Sequence, residues 1–227
     1  MIEMTDLIKT YRLGSVEVPA LRGITLRIED GESVAIMGKS GSGKSTLMNV
    51  IGCLDQPTSG SYVLDGRNIA DMNDTDLAMV RNQRIGFVFQ QFNLLPRATI
   101  LRNVEMPMMY AAENRPPLKE IRTRAEEMLK IVGLGDRLNH RPLELSGGQQ
   151  QRAAIARALI NRPGVILADE PTGNLDSKTG AEIMDMLLKL HIDNGLTLVI
   201  VTHDPSIAAQ MSRVIRLRDG LLENGNG

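Results

Sequence analysis

Residues 38 to 45 form a glycine-rich run that ends in a lysine and a serine, a pattern typical of a phosphate-binding loop. The run reads Gly-Lys-Ser-Gly-Ser-Gly-Lys-Ser and fits G-x-x-x-x-G-K-[ST]. Glycines allow the backbone to curl until successive N–H groups point inward at a phosphate. In such a loop Lys44 neutralises the β- and γ-phosphates of a nucleotide, and the Ser45 hydroxyl ligates Mg²⁺.

The segments on either side of this loop support a nucleotide site. Residues 33–37 are apolar and predict a buried strand, and residues 46–51 predict a helix whose N-terminus adds partial positive charge. An ordinary glycine turn before a helix is the alternative, but the Lys-Ser pair in register behind a strand favours a phosphate site. The residues expected to contact the nucleotide are Gly38, Ser40, Gly41, Ser42, Gly43, Lys44, Ser45 and Thr46.

A second candidate site follows the apolar run 165–168, where Asp169 and Glu170 stand side by side. Ligands bind at the carboxyl edge of open α/β sheets, which is where a strand here would place these two side chains. Two buried carboxylates without a cation are unfavourable, so a nearby Mg²⁺ is expected. We expect Asp169 to hold the metal through water and Glu170 to deprotonate the attacking water. A solvated Asp-Glu turn is the alternative, which the phosphate loop disfavours.

A third motif, Leu-Ser-Gly-Gly-Gln at residues 145–149, precedes an Ala- and Arg-rich helical segment. A serine and two glycines at a helix start can bind an anion through a hydroxyl and N–H groups. Taken alone, these residues favour the ordinary alternative, a serine that caps the helix. However, one nucleotide has no evident use for two glycine-rich clamps. The motif therefore suggests a surface that meets the nucleotide of another molecule.

The remaining pattern predicts an α/β fold around a mostly parallel sheet, with an inserted helical segment. Residues 99–139 lack strand signals, and 118–132 carry apolar residues at helical spacing. Met106, Met108 and Met109 fit either a core or a partner contact equally well. Strands are expected at 2–7, 21–28, 61–64, 84–89, 165–168 and 197–201, helices near 149–160 and 179–191, and a hairpin at Asp219-Gly220.

Composition limits the class of protein. The chain has 227 residues, with 26 Lys+Arg against 27 Asp+Glu, and this net charge of -1 argues against a broad nucleic-acid-binding surface. The single cysteine, Cys53, excludes an intrachain disulfide framework, and the three histidines show no metal-binding cluster. No secretion signal or membrane-spanning run is visible, so a soluble, cytoplasmic protein is expected.

The chain resembles the ATP-binding-cassette ATPases, because residues 145–149 match their signature motif and further motifs follow in family order. The resemblance implies that Gln90 senses Mg²⁺ and the transport partner. It also implies that Asp176 belongs to the D-loop and that His203 is the switch histidine contacting the γ-phosphate. Tyr11 corresponds to the aromatic residue on which adenine stacks, although a lone tyrosine more often serves packing.

Three longer stretches, 51–55, 87–96 and 168–176, are similar to the subfamily of the macrolide exporter MacB, the lipoprotein-release ATPase LolD and the division protein FtsE. The resemblance implies a phosphate-loop NTPase core with an N-terminal antiparallel β-subdomain and an inserted α-helical subdomain. The expected bounds are 1–97 and 162–227 for the core and 98–161 for the helical subdomain.

The same resemblance implies a mechanism in which two copies pack head to tail around two ATP molecules. Each ATP would lie between the phosphate loop of one copy and the signature motif of the other, and its hydrolysis would drive a separate membrane permease of the efflux or lipoprotein-release type. The catalytic set is Lys44, Gln90, Glu170 and His203, the metal set is Ser45, Gln90 and Asp169, and the trans nucleotide contacts are Ser146, Gly147, Gly148, Gln149 and Asp176.

The resemblance also implies a location on the cytoplasmic face of the inner membrane, with a periplasmic or extracellular adaptor in transporters that use one. The main alternative is a cassette that acts on DNA or ribosomes, and a non-hydrolysing nucleotide sensor is another. The chain lacks a long coiled-coil insertion, a second ATPase unit and a basic surplus, so no nucleic-acid partner is expected. Drug export, lipoprotein extraction, peptide-antibiotic detoxification and control of cell-wall enzymes all remain open as the transport task.

Overall fold

The computed structural model describes residues 1–111 and 115–223 and divides into two compact units. The first unit contains residues 1–81 and the chain from residue 197 onward, and the second contains residues 82–196. The predicted helical subdomain, 98–161, falls within the second unit, and its bounds stay a prediction.

The first unit contains an antiparallel sheet, a set of parallel strands and the helix that follows the phosphate loop. Its elements are β1 (Ile2–Leu13), β2 (Val16–Ile28), β3 (Ser33–Met37), α1 (Lys44–Ile51), β4 (Ser59–Leu64), β5 (Arg67–Asn68), α2 (Asp74–Arg84, which spans the boundary at residue 82), β8 (Thr197–Val201), α7 (Pro205–Ala208), β9 (Arg213–Arg218) and β10 (Leu221–Leu222). The remaining elements, strands β6 and β7 and helices α3 to α6, belong to the second unit.

The N-terminal sheet has the strand order β2-β1-β4-β5, with antiparallel pairing throughout. Ile24, Leu26 and Ile28 on β2 are buried while Thr25 and Arg27 are exposed, as period-two alternation predicts for a sheet with one face on a core. The two first strands are longer than predicted, because β1 reaches Leu13 and β2 starts at Val16.

The parallel strands of the first unit place β3 between β8 and β9. All five residues of β8 are buried, and so are the first four of β3, which is why both strands read as continuous apolar runs rather than alternating ones. Because β3 is hydrogen-bonded to a strand on each side, its carboxyl end fixes the start of the loop that follows at residue 38.

In its described residues, 82–111 and 115–196, the second unit combines two parallel strands with four α-helices. Phe89 and Asp169, the last residues of the two strands, are partners in the parallel register. The helix that starts at the signature motif packs against the strand that ends at Phe89. The elements are β6 (Ile85–Phe89), α3 (Ile100–Met109), α4 (Leu118–Ile131), a short 3₁₀ turn (Pro142–Glu144), α5 (Gly147–Leu159), β7 (Val165–Asp169) and α6 (Ser177–Asn194).

Three details of the helices differ from the expectations or extend them. No helix is predicted from the sequence for residues 74–84, where the structure has α2. Asn73 caps the start of this helix, because its side chain accepts a hydrogen bond from the Asp76 N–H at 3.0 Å. Leu118, expected on the apolar stripe of α4, is 64% exposed because it lies in the first turn. Of the three methionines left open, Met108 is buried in the core, whereas Met106 and Met109 are half-buried.

Candidate active site

The phosphate loop runs from β3 to α1 within the first unit. Gly41 and Gly43 adopt positive φ angles of 79° and 103°, which L side chains rarely adopt. A Cβ at Gly43 would also lie 2.7 Å from the carbonyl oxygen of Ala20, so only glycine fits there. The Ser42 N–H donates to the Lys39 carbonyl at 3.1 Å, which closes the turn.

The loop presents hydrogen-bond donors at its helical end. Helix α1 begins at Lys44 behind Gly43, and no side chain caps it, so the first-turn N–H groups of Lys44, Ser45 and Thr46 lack intrahelical partners. Lys44 Nζ donates to the carbonyls of Gly38 and Lys39 at 2.8 and 2.9 Å. Within the described part of the chain, the buried Ser42 hydroxyl has no hydrogen-bond partner. This donor-rich cradle fits an oxyanion.

The structure brings His203 to the phosphate loop, as the family pattern predicts. A surface cavity of about 670 Å³ is lined by His203 together with Gly38, Lys39, Ser40 and Ser42. His203 lies two residues beyond the end of β8, directly before a short helix that Asp204 caps by accepting the Ser206 N–H at 2.8 Å. The hydrogen bonds from Ser206 lower the pKa of Asp204, which keeps a carboxylate next to His203.

Tyr11 lies beside the start of α1 in the same unit. Its hydroxyl donates to Asp55 Oδ2 at 2.8 Å, and Lys9 Nζ lies 5.0 Å from the centroid of its ring. Burial and the bond to Asp55 raise the pKa of the phenol, and an interaction with the Thr46 hydroxyl partly opposes this rise. Its position next to Thr46 agrees with a role at the nucleotide, and its contacts with Lys9 and Asp55 show that it also packs.

In the second unit, β6 and β7 deliver Gln90, Asp169 and Glu170 to one edge. Phe89 and Asp169 are partners in the parallel register, so Gln90 follows one strand where Glu170 follows the other. Glu170 has a φ of 44°, an uncommon conformation for a residue other than glycine. Its carbonyl accepts the Gly173 N–H at 3.0 Å. Gln151 of α5 donates to the next carbonyl, that of Pro171, at 2.6 Å.

Gln90 is paired with Asn174 through both amides. Gln90 Nε2 donates to Asn174 Oδ1 at 3.3 Å, and Asn174 Nδ2 donates to the backbone carbonyl of Gln90 at 2.9 Å. A Cβ at Gly173 would lie 2.7 Å from Gln90 Nε2, so the glycine leaves room for this pair. The Gln90 side chain is thereby held next to the loop that contains Asp176.

The signature motif forms the start of α5. Ser146 accepts the Gln149 N–H at 3.3 Å, and Gln149 Oε1 accepts the Ser146 N–H at 3.0 Å, which is a capping box. The capping alternative is therefore correct as a description of the serine, and it leaves the Ser146 hydroxyl hydrogen able to donate. A Cβ at Gly148 would collide with the Thr179 methyl group, so this glycine allows α5 and α6 to pack closely.

Asp176 caps α6. Its carboxylate accepts the Thr179 N–H at 3.0 Å and the Thr179 hydroxyl at 2.6 Å, and these bonds lower its pKa. Since Gly148 also contacts Thr179, the signature motif and the D-loop meet at one residue. Asp55, Gln151 and Asn174, which hold site residues in place, were not predicted from the sequence.

The oxygen donors predicted for the metal fit magnesium. They are a hydroxyl, an amide and a carboxylate, from Ser45, Gln90 and Asp169. Mg²⁺ in phosphoryl-transfer sites takes only one or two protein carboxylates and completes its shell with phosphates and water. Accordingly, residues 1–111 and 115–223 contain no cluster of three or more His, Cys, Asp or Glu side chains that could hold a metal by themselves.

The strand, glycine-rich loop and helix N-terminus of the first unit define a phosphate-loop nucleotide-binding protein. The family model described as ABC transporter matches residues 21–173. An uncharacterized ABC transporter ATP-binding protein of Thermotoga maritima is 56% identical over 223 residues, covering 98% of this chain and 94% of that protein. The chain belongs to the ABC transporter ATP-binding family, and it is an ATPase of that type.

Two further relatives are informative. The macrolide export ATP-binding/permease protein MacB of Syntrophobacter fumaroxidans is 52% identical over 227 residues, which cover all of this chain and 32% of that protein. The cassette MJ0796 of Methanocaldococcus jannaschii, solved as a dimer in a post-hydrolysis state bound to ADP and Pi, superimposes with a TM-score of 0.90. That pair shares 49% identity and covers 99% and 97% of the two chains, which confirms the predicted fold class.

Proposed function

We propose that this chain supplies the energy for a transporter whose membrane permease is a separate polypeptide. The observation that carries this proposal is the match of the whole chain to about a third of MacB, a protein named for both ATP binding and permease. No helix in the described part of this chain is long and apolar enough to cross a bilayer. We propose that the permease function comes from another chain and that this one works at the cytoplasmic face of the inner membrane.

The first unit is proposed to bind the nucleotide. Adenine stacks on Tyr11, and the phosphates occupy the cradle of the glycine-rich loop, from Gly38 through Thr46. Lys44 exchanges its two loop carbonyls for the β- and γ-phosphates, because an ammonium gains more from a charged oxygen than from a neutral one. His203, which lines the same cavity, contacts the γ-phosphate.

The second unit is proposed to supply the groups for hydrolysis. Glu170 accepts the proton of the attacking water, and Gln151 and Gly173 fix the backbone around it. Ser45, Gln90 and Asp169 would hold Mg²⁺, which supplies charge neutralisation for the phosphates when bound. To hold such an ion, Gln90 would give up the hydrogen bond that its side chain donates to Asn174.

The working assembly is proposed to be a homodimer that encloses two ATP molecules. The capped N-terminus of α5, with Ser146, Gly147, Gly148 and Gln149, faces the γ-phosphate held by the partner copy, where the helix dipole favours negative charge. Asp176 is proposed to lie at the same interface between the two copies. The dimeric structures solved for MJ0796 support this arrangement. The two copies are equivalent, as a two-fold symmetric interface requires.

The transport direction is proposed to be export or extraction, of the efflux or lipoprotein-release type, with a periplasmic or extracellular adaptor as a further partner. To test the membrane partner, the tagged chain is purified in mild detergent from the membranes of its source cells. We expect an integral membrane protein in a fixed ratio to the chain, together with retained ATPase activity. Recovery with ribosomes or nucleic acid and no membrane protein would instead support the alternative cassette class.

Replacing Lys44 with Ala is expected to weaken ATP binding by about 10- to 100-fold, because a charge-assisted hydrogen bond contributes about 1.5–3 kcal/mol. Isothermal titration calorimetry with ATP measures the change. Lys189→Ala on the exposed side of α6 is the matched control and retains wild-type affinity. Unchanged ATP affinity in the Lys44 variant would contradict the assignment of the phosphate loop.

A further inference from the structure

Two side chains of β1, those of Tyr11 and Lys9, meet at Asp55, four residues beyond the end of the phosphate-loop helix. Tyr11 Oη donates to Asp55 Oδ2 at 2.8 Å, and the Lys9 ammonium forms an ion pair with Asp55 Oδ1. Lys9 also donates to the carbonyl of Gln56 at 2.8 Å, and the Gln56 N–H donates back to Asp55 Oδ1 at 2.9 Å. Both oxygens of the Asp55 carboxylate are therefore used.

The backbone under Asp55 is tied to the helix that begins at the phosphate loop. The N–H groups of Leu54 and Asp55 both donate to the Asn49 carbonyl, at 2.8 and 3.2 Å. Asn49 belongs to α1, whose first turn contains Lys44, Ser45 and Thr46. Asp55 therefore connects the helix to the phenol of Tyr11, which lies on β1, 44 residues away in sequence.

Lys9 also limits which face of the Tyr11 ring is open to a ligand. The two residues are two positions apart on β1, so their side chains extend on the same side of the sheet. The Lys9 ammonium lies 5.0 Å from the ring centroid, within range of a cation–π interaction. Because a cation lies over one face, a flat aromatic ligand can stack only on the other.

We propose that the Lys9–Asp55 pair is a positioning element that fixes the Tyr11 ring as the platform for the adenine base. This inference rests on the proposed function, in which Tyr11 stacks on the nucleotide. Lys9 and Asp55 do not touch the phosphates. Their contribution to ATP affinity passes entirely through the base.

The pair differs from an ordinary surface ion pair in its burial. The Lys9 and Asp55 side chains are only 13% and 27% exposed, whereas Arg12 and Glu17, on the same hairpin, are 80% and 60% exposed. Exposed pairs of the latter kind contribute little. Burial disfavours the charged carboxylate, yet the bonds from Lys9 and Tyr11 outweigh it and lower the pKa of Asp55. Asp55 thus stays ionised and able to accept both bonds at neutral pH.

The test compares MgATP with inorganic tripolyphosphate, which has the phosphates but no base. For Asp55→Asn, calorimetry is expected to show MgATP binding weakened by about fivefold to tenfold, a substantial part of a base–aromatic stacking contribution. Tripolyphosphate affinity is expected to stay at the wild-type value. Lys9→Met is expected to behave like Asp55→Asn, and Lys9→Arg, which keeps the cation, is expected to retain most of the MgATP affinity.

The control is Glu17→Gln, which removes the exposed pair with Arg12 on the same hairpin and leaves both affinities unchanged. Equal weakening of MgATP and tripolyphosphate in Asp55→Asn would show a general structural role and overturn the inference, as would unchanged MgATP affinity. A wild-type chain that binds tripolyphosphate but gains nothing from the base would instead refute the proposed role of Tyr11. If Asp55→Asn does not fold, Tyr11→Phe removes only the hydroxyl bond and is judged by the same comparison.

Discussion

Replacing Glu170 with Gln is expected to reduce ATP turnover by about 100- to 10,000-fold while ATP binding is retained, because an amide cannot accept the proton of the attacking water. The backbone at this position is held by bonds around Pro171 and Gly173 that do not involve the side chain. The substitution leaves these backbone bonds in place. With hydrolysis blocked, the ATP-bound dimer is expected to accumulate.

The dimer is measured by size-exclusion chromatography with light scattering, in millimolar ATP and in ADP. Glu182→Gln is the matched control, because Glu182 forms an ion pair with Arg152 on the surface of the second unit. This control is expected to hydrolyse ATP at the wild-type rate and to show no stable dimer. A Glu170→Gln protein that stays monomeric in millimolar ATP would refute the proposed two-copy arrangement.

Replacing Ser146 with Arg is the second change with a large expected effect. A cation at the start of α5 opposes the helix dipole, and its bulk would occupy the space proposed for the γ-phosphate of the partner copy. ATP binding to the single chain is expected to remain normal, whereas dimer formation and steady-state hydrolysis fall by about 100-fold or more. Calorimetry, light scattering and a phosphate-release assay separate these three quantities.

Two controls isolate the trans role of Ser146. Ser146→Thr keeps a hydroxyl that can cap the helix and is expected to retain activity. Loss of the cap alone costs about 1 kcal/mol, which thermal unfolding of the Arg variant would reveal. Normal ATPase activity in a folded Ser146→Arg protein would mean that this helix start does not meet a nucleotide.

The local conformation of each motif was predictable because the residues that determine it are neighbours in the chain. Gly43 and Lys44 define the phosphate loop through adjacent conformational and charge requirements, and the structure shows Gly43 at a φ of 103°. The carboxylates at 169 and 170 end an apolar run, so their place at a strand edge follows from the run itself. His203 reaches the phosphate loop because β8 pairs with β3, which a parallel sheet makes plausible from sequence alone.

The contacts that hold these groups were not predictable, because they join residues far apart in the chain. Tyr11 and Asp55 are 44 residues apart, and Gln90 and Asn174 are 84 residues apart. Each partner on its own is an ordinary polar residue in a turn or at a strand end. Helix α2 was missed for a different reason: it is short and mostly polar, and the only sequence signal was its Asn73 cap with acidic residues in the first turn.

The paired amides of Gln90 and Asn174 have a consequence for how the molecule responds to its surroundings. Each of these neutral hydrogen bonds contributes only about 0.5–1.5 kcal/mol, so one new interaction of similar strength is enough to offset the bond that the Gln90 side chain donates. A new contact made by the Gln90 side chain and a new contact made by Asn174, two residues before Asp176, thus act on the same hydrogen bond. The hydrogen-bonded link between these two loops is therefore weak enough for a single added contact to break it.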